Sequence, residues 1–344
     1  MLDTLAQTGT KKTSAIRKPP VMVAGNGSDL TDEKLMKRRG EKKMITQYII
    51  KNLLKVAEAK KDKEFIKSLW NTYYCQTLIR TSSDRAYSNY CKNKFCIVCL
   101  GNRKAVIINK YLPVLKTWKN PHLVTLTIKS VPAKKLKWIM EKGMIRAFRI
   151  LTERCKKRNQ RGKGKPLVGI KSLECCFNPK RRSYNPHFHL IVPDRETAVL
   201  LVSEWLQIWT PKFAGEIAQD FRPLRNLEKG LIEIVKYGTK IFTQPDPNKQ
   251  LKGKANSLLY ASALYNILKA MEGHRLFDRF GFNLPKATRT KKRMTKELTQ
   301  YEDWKHELSQ KDWANVDTGG TLTNFLPPPG LITFLCENVN LELE

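Results

Sequence analysis

Two histidines flank one apolar residue in Asn185-Pro186-His187-Phe188-His189-Leu190-Ile191-Val192. In an extended strand, side chains two apart share a face, so His187 and His189 project together while Phe188, Leu190 and Val192 turn toward a core. A pair of imidazoles on a rigid strand is the start of a divalent-metal site. Asn185-Pro186 reads as the turn that opens this strand. The preceding strand, Leu167 to Phe177, contains Glu174 and reaches the histidines through the polar turn Asn178 to Ser183. Strands joined by so short a connection pair antiparallel, which brings Glu174 toward both imidazoles as a third metal ligand.

A second cluster is sulfur. Cys91, Cys96 and Cys99 lie close together, with Cys75 upstream. In Cys96-x-x-Cys99 both thiolates can reach one ion, and Cys91 and Cys75 complete a tetrahedral four-cysteine zinc site. Lys92, Lys94, Arg103 and Lys104 around it offset the negative charge of four sulfurs. The third element is Glu233-Ile234-Val235-Lys236-Tyr237-Gly238-Thr239-Lys240. Helical spacing puts Glu233 and Tyr237 on one face, with a basic residue a turn further on, while Ile234 and Val235 point to packing.

The elements that must position these groups follow from hydrophobic periodicity. One or two amphipathic helices begin at Met44. A helix from Arg103 to Leu115 follows the cysteines. His122 to Ile128 alternates as a half-buried strand, with Val124, Leu126 and Ile128 on one face and Thr125 and Thr127 on the other. A long helix, about Lys134 to Lys156, leads to the strand with Glu174 and then to the histidine strand. A helix from Arg195 to Trp209 and a short strand near Gly215 to Phe221 complete the order β-α-β-β-α-β, the ferredoxin-like arrangement. A helix from about Leu227 to Phe242 carries Tyr237, and another runs from about Ala255 to Glu272. The fold class expected is α+β, a central antiparallel sheet with flanking helices, preceded by a small cysteine-rich zinc unit. The chain divides into a basic disordered segment 1–43, a helical and cysteine-rich unit 44–117, a catalytic domain 118–285 and a C-terminal tail 286–344.

Sixty-four Lys and Arg against 31 Asp and Glu give a net charge of +33. Such a field points to a polyanionic partner, most simply nucleic acid, bound with strong salt dependence. No apolar run is long enough to span a bilayer, and the N-terminus lacks the apolar stretch of a signal peptide, so no membrane partner and a cytoplasmic location are expected. Eight cysteines in such a chain read as reduced thiols and a metal site.

The order of these pieces resembles the replication initiator (Rep) proteins of rolling-circle plasmids, within the HUH endonuclease superfamily. The likeness runs from Cys75 to Gly281 and includes Gly273-His274-Arg275-Leu276-Phe277. It departs at the cysteine cluster, where lysines and Ile97 replace the family's usual arginine and proline. The resemblance implies a metal-dependent nickase acting at the plasmid's double-strand origin on an extruded single-stranded site. His187 and His189 would be ligands of Mg2+ or Mn2+, and Tyr237 the nucleophile that forms a 5′-phosphotyrosine. Glu233 would be the carboxylate that activates water for the terminating cut, as in the Glu-x-x-x-Tyr branch. Lys236 and Lys240 on the nucleophile helix and Arg181 and Arg182 in the turn are phosphate contacts, which position DNA without reading its sequence. No G-x-x-x-x-G-K-[ST] loop occurs, so a host helicase and a host DNA polymerase are implied partners. The alternatives are an HUH transposase or relaxase, or a non-catalytic zinc-containing nucleic-acid-binding protein.

Overall fold

The computed structural model describes residues 33–82, 85–235, 257–285, 301–307 and 311–327. It is α+β, with two antiparallel sheets flanked by helices. The central sheet contains β3 (His122–Thr127), β4 (Val131–Pro132), β5 (Gly169–Asn178), β6 (Ser183–Val192), β7 (Asp220–Pro223) and β8 (Phe277–Phe280). Its order is β7-β3-β6-β5-β8, with β4 continuing the line of β3 against β6. Without β4 and β8 this is the strand order a β-α-β-β-α-β chain makes, so the expected arrangement is present and one edge strand is added.

Register sets what faces what. In the β5–β6 pair Glu174 lies opposite His187, and Ser172 opposite His189. In the β3–β6 pair Thr125 lies opposite His189, and Thr127 opposite His187. Residues directly opposite share a face, so all six belong to one side of the sheet. Phe188 points to the other side, where it meets Phe148 at 5.2 Å and Trp205 at 6.0 Å between ring centroids. Those rings belong to α5 (Arg146–Gln160) and α6 (Arg195–Phe213), which cover that side. The histidine side is covered by α3 (Ile97–Leu115), whose Tyr111 packs edge-on against Phe277, the partner of Ser172. Against α3, β5 and β6 packs α7 (Leu227–Val235), with Leu231, Ile234 and Val235 fully buried.

Several expectations change. Asn185-Pro186 lies inside β6, and the turn is Asn178–Arg182, held by the Arg181 amide donating to Asn178 Oδ1. Proline is tolerated there because β3 stops at the partner of His187 and β4 starts opposite Tyr184, leaving that edge of β6 unpaired between them. The long helix after Pro132 is three pieces, α4 (Ala133–Trp138), a π-helical segment Ile139–Ile145, and α5. Gly143 lets the ring of Trp209 approach this segment, since a Cβ there would come within 2.9 Å of it. The strand expected from Gly215 is a 3-10 turn, Glu216–Ala218, followed by β7. The helix expected to reach Phe242 is described only to Val235.

The helix expected from Met44 begins at Glu33 as α1 (Glu33–Ala59), because Met36, Gly40 and Lys43 continue its buried face. It is followed by α2 (Lys63–Tyr73), capped by Asp62 accepting from the Phe65 amide. On α1 and on α4 packs α8 (Ser257–Ala270). The stretch read as a C-terminal tail contributes β9 (Glu302–Glu307) and β10 (Asp312–Asn315), which join β1 (Leu78–Ser82) and β2 (Arg85–Ser88) in the order β10-β9-β1-β2. Trp313 and Ile79 are fully buried between them.

This second sheet carries a pH dependence. His306 is 7% exposed and lies edge-on to Trp313. Burial, helped by the charge of Lys43, depresses it to about 3. The unfolded chain therefore takes up a proton near pH 6.5 that the folded chain refuses, and this contribution to stability falls as pH drops below 6.5 toward 3. Between pH 7 and 5 the cost is roughly 2 kcal/mol at about 1.4 kcal/mol per pH unit. Urea unfolding at the two pH values should show His306→Phe losing less stability than the wild type by about that amount; equal losses would contradict it.

Candidate active site

Among the described residues two groups of metal-binding type converge, Glu174 with His187 and His189, and the four cysteines 75, 91, 96 and 99. Glu174 Oε2 stands 3.7 Å from His187 Nε2 and 3.8 Å from His189 Nε2. Ligands about 2.1 Å from a shared ion sit roughly 3.0–3.5 Å apart, so small side-chain movements would close this set on one cation. Glu174 is 3% exposed and the histidines are nearly as enclosed.

The outer ring nitrogens are held. His187 Nδ1 donates to the Asn185 carbonyl at 3.1 Å, which leaves Nε2 with a free lone pair toward Glu174. His189 Nδ1 pairs with Thr125 Oγ1 at 3.1 Å. Thr127 Oγ1 donates to Asn185 Oδ1 at 2.7 Å, steadying the loop side of the same face. Sequence reasoning assigned no role to Thr125 or Thr127; the alternation of β3 opposite His-x-His was the available signal. Thr125→Val removes the hydroxyl but keeps the shape. Outer-shell losses of this kind typically weaken metal affinity by about 10- to 100-fold. Calorimetric titration with Mn2+ checks this, and an unchanged affinity would deny Thr125 its positioning role.

The cysteines sit where α2, β1 and α3 meet. Cys75 Sγ is 3.5 Å from Cys99 Sγ, and Cys91 Sγ 3.6 Å from it. Four sulfurs about 2.3 Å from one zinc would be about 3.8 Å apart, so the donor set fits a tetrahedral ion. Cys96 caps α3, its sulfur accepting from the Cys99 amide, so the knuckle and the helix start are one structure. Contacts from Cys75, Cys96 and Cys99 hold the Cys91 thiol far below its ordinary value. Contact with Cys91 pushes Cys75 up.

Lys43 had no place in the sequence reading. It is 1% exposed, and its Nζ donates to the carbonyls of Tyr73 at 2.8 Å and Cys75 at 2.6 Å. Burial pulls it down to about 8 against the upward pull of charge on Cys75, Cys96 and Cys91. A buried cation needs such a partner, and a four-thiolate zinc cluster is one.

Glu233 lies in the last described turn of α7, half-buried, on the helix that covers the histidine face. Tyr237, Lys236 and Lys240 lie outside the described residues. Arg181 and Arg182 are exposed at the tip of the β5–β6 hairpin, beyond His187. Of the other tyrosines near this core, Tyr184 accepts from Asn266 and Tyr265 donates to Asp62.

A protein named "Protein rep" from Staphylococcus aureus is 28% identical to this chain over 188 residues, 48% of the chain and 79% of that relative. The chain is similar in sequence to proteins of that name. Two more of that name, from a Bacillus sp and from Bacillus amyloliquefaciens, are 24% and 23% identical over 202 residues, half of this chain. The match spans 64% and 58% of those two, less than two thirds of their length. No family model and no solved structure matches the chain. Among the described residues no helix is long and apolar enough to cross a membrane.

Proposed function

We propose that this chain initiates plasmid rolling-circle replication by nicking one DNA strand at the origin, as an HUH endonuclease of the Glu-x-x-x-Tyr type. The observation that supports it most is the convergence of Glu174, His187 and His189 on one sheet face under α7, in a chain similar in sequence to Rep proteins. The net charge of +33 supports a DNA partner.

Glu174, His187 and His189 would hold Mg2+ or Mn2+. Such a cation polarises a phosphodiester and offsets charge in the transition state. Neutral imidazoles leave that positive charge undiminished, and their enclosure limits water. Tyr237, two residues past the end of the described part of α7, attacks the scissile phosphorus. The bond from phosphorus to the 3′-oxygen breaks as the phenolic oxygen bonds to phosphorus. The phenol gives up its proton, and the leaving 3′-oxygen takes one up. The 5′-phosphotyrosine conserves the bond energy, and the free 3′-OH is a primer for a host polymerase. Phenol ionises near pH 10, so a proton acceptor is needed at neutral pH. Glu233, four residues before Tyr237 in the sequence, serves as acceptor for a water in the terminating cut, which releases the protein. The basic residues hold the strand by its phosphates, and a host helicase unwinds. The cysteine set holds a structural zinc.

The test is incubation of the chain with Mn2+ and a supercoiled plasmid carrying its own origin, followed by proteolysis and mapping of the DNA-linked peptide. The expected product is a phosphotyrosine at Tyr237, with no nicking by Tyr237→Phe. Linkage to another tyrosine would overturn the site, and no nicking of any origin would overturn the activity.

A further inference from the structure

Beside the cysteine cluster lies a cavity of about 230 Å³ between α1 and α3, lined by Arg39, Lys42, Gln76 and Gly101 and by the apolar Leu35, Val98 and Ala105. We propose that it binds a phosphate of the DNA backbone, giving the chain a duplex contact separate from the nicking site. Its lining is cationic from one side only: Arg39 and Lys42 come from successive residues of one face of α1, three apart.

Two observations point to an anion. Arg39 Nη1 is buried with no hydrogen-bond partner among the described residues. A guanidinium has five donors in a fork that matches a phosphate, and an unmade bond from a buried charged donor is costly. Gly101 is the second. It sits inside α3, where glycine costs about 1 kcal/mol relative to alanine. Neighbouring packing does not require it, since a Cβ there would meet only Lys42 Nζ, at 3.6 Å. What the missing side chain leaves is the space in front of the two cations.

The cavity also has a fixed frame. Gln76 follows Cys75, and Val98 precedes Cys99, so two of its walls are anchored by the cysteine cluster. The Gln76 carbonyl accepts from Trp313 Nε1 at 2.7 Å, tying that wall to β10. A phosphate held there would be positioned by the zinc unit and carry no base readout.

This inference rests on the reading of the chain as a DNA-binding initiator, but not on its nuclease chemistry. The experiment measures binding of the full chain to an origin duplex across a salt series, for the wild type, Arg39→Gln and Gly101→Val. Each variant should weaken binding by about fivefold at 0.15 M salt and lower the slope of log K against log salt by about 0.9, the signature of one phosphate. Gly101→Val adds bulk without removing charge, so a general loss of surface potential would leave it unaffected. Its thermal midpoint reports folding, and if it misfolds Arg39→Gln alone decides. Unchanged slopes in Arg39→Gln overturn the proposal. So does a site that takes only free phosphate, seen if inorganic phosphate raises the wild-type midpoint while the duplex slopes of both variants match the wild type. Cleavage of a preformed single-stranded origin is measured in parallel. Nicking with unchanged slopes sinks the cavity alone, and altered slopes without nicking sink the nuclease reading alone.

Discussion

Glu174→Gln is expected to lower nicking by more than about 100-fold, beyond the usual range for losing an outer-shell partner of a metal ligand. The substitution keeps the volume and one oxygen but removes the charge. At 3% exposure Glu174 has no surface to offer to DNA, so duplex affinity should stay within about twofold. Its oxygen faces Nε2 of both histidines, each held by its other nitrogen, so the imidazoles should keep their places when the carboxylate goes. The expected pattern is therefore loss of Mn2+ binding by calorimetry, loss of nicking, and intact binding and thermal midpoint. If nicking survives while Mn2+ binding is lost, the triad has another purpose. If the midpoint rises with nicking unchanged, Glu174 is a strained buried carboxylate and not a ligand.

How much of this site was legible depended on the range of the interactions. The shared face of His187 and His189 is local geometry, fixed by two-residue alternation. The antiparallel partnership of β5 and β6 follows from a short turn, but the register does not: one residue of slip would move Glu174 to the face of Phe188. What fixes it is the tertiary burial of Leu173, Cys175 and Phe177 against the helices on that face, which no local pattern reports. Asn185-Pro186 misled for the opposite reason. The dipeptide is a turn signal in isolation, and the gap between β3 and β4 that makes it tolerable in a strand comes from far along the chain. The second sheet shows the limit most clearly. Strands 302–307 and 312–315 read as polar because they alternate around one buried tryptophan and one buried histidine, and β1, the strand that β9 joins, is more than 200 residues away. Lys43 was illegible for a related cause: a lysine reads as solvated until a cluster of thiols closes over it.

Treatment with a strong zinc chelator, or Cys99→Ser, is expected to lower the thermal midpoint by more than about 10 °C. Structural zinc contributes about 10–16 kcal/mol to folding of small peptides, and in a chain of this size about 10 kcal/mol corresponds to roughly 14 °C. The effect should spread because the cluster is tied to both ends of the described chain. Lys43 of α1 is bonded to the Cys75 carbonyl, and Trp313 of β10 to the Gln76 carbonyl. Losing the ion leaves Lys43 buried beside thiols that no longer carry the full thiolate charge, so α1 should loosen together with the second sheet. Tryptophan fluorescence from Trp313 and Trp304 should therefore change with chelator in step with zinc release. The central sheet has its own core around Phe188 and Trp205, and should keep its Mn2+ affinity. Cys155, Cys175 and Cys176 lie outside the cluster, and their serine variants should retain one zinc per chain by atomic emission. A purified wild type without zinc, or a midpoint indifferent to the chelator, would mean that the four cysteines pack as plain thiols and that Lys43 is held by its two carbonyls alone.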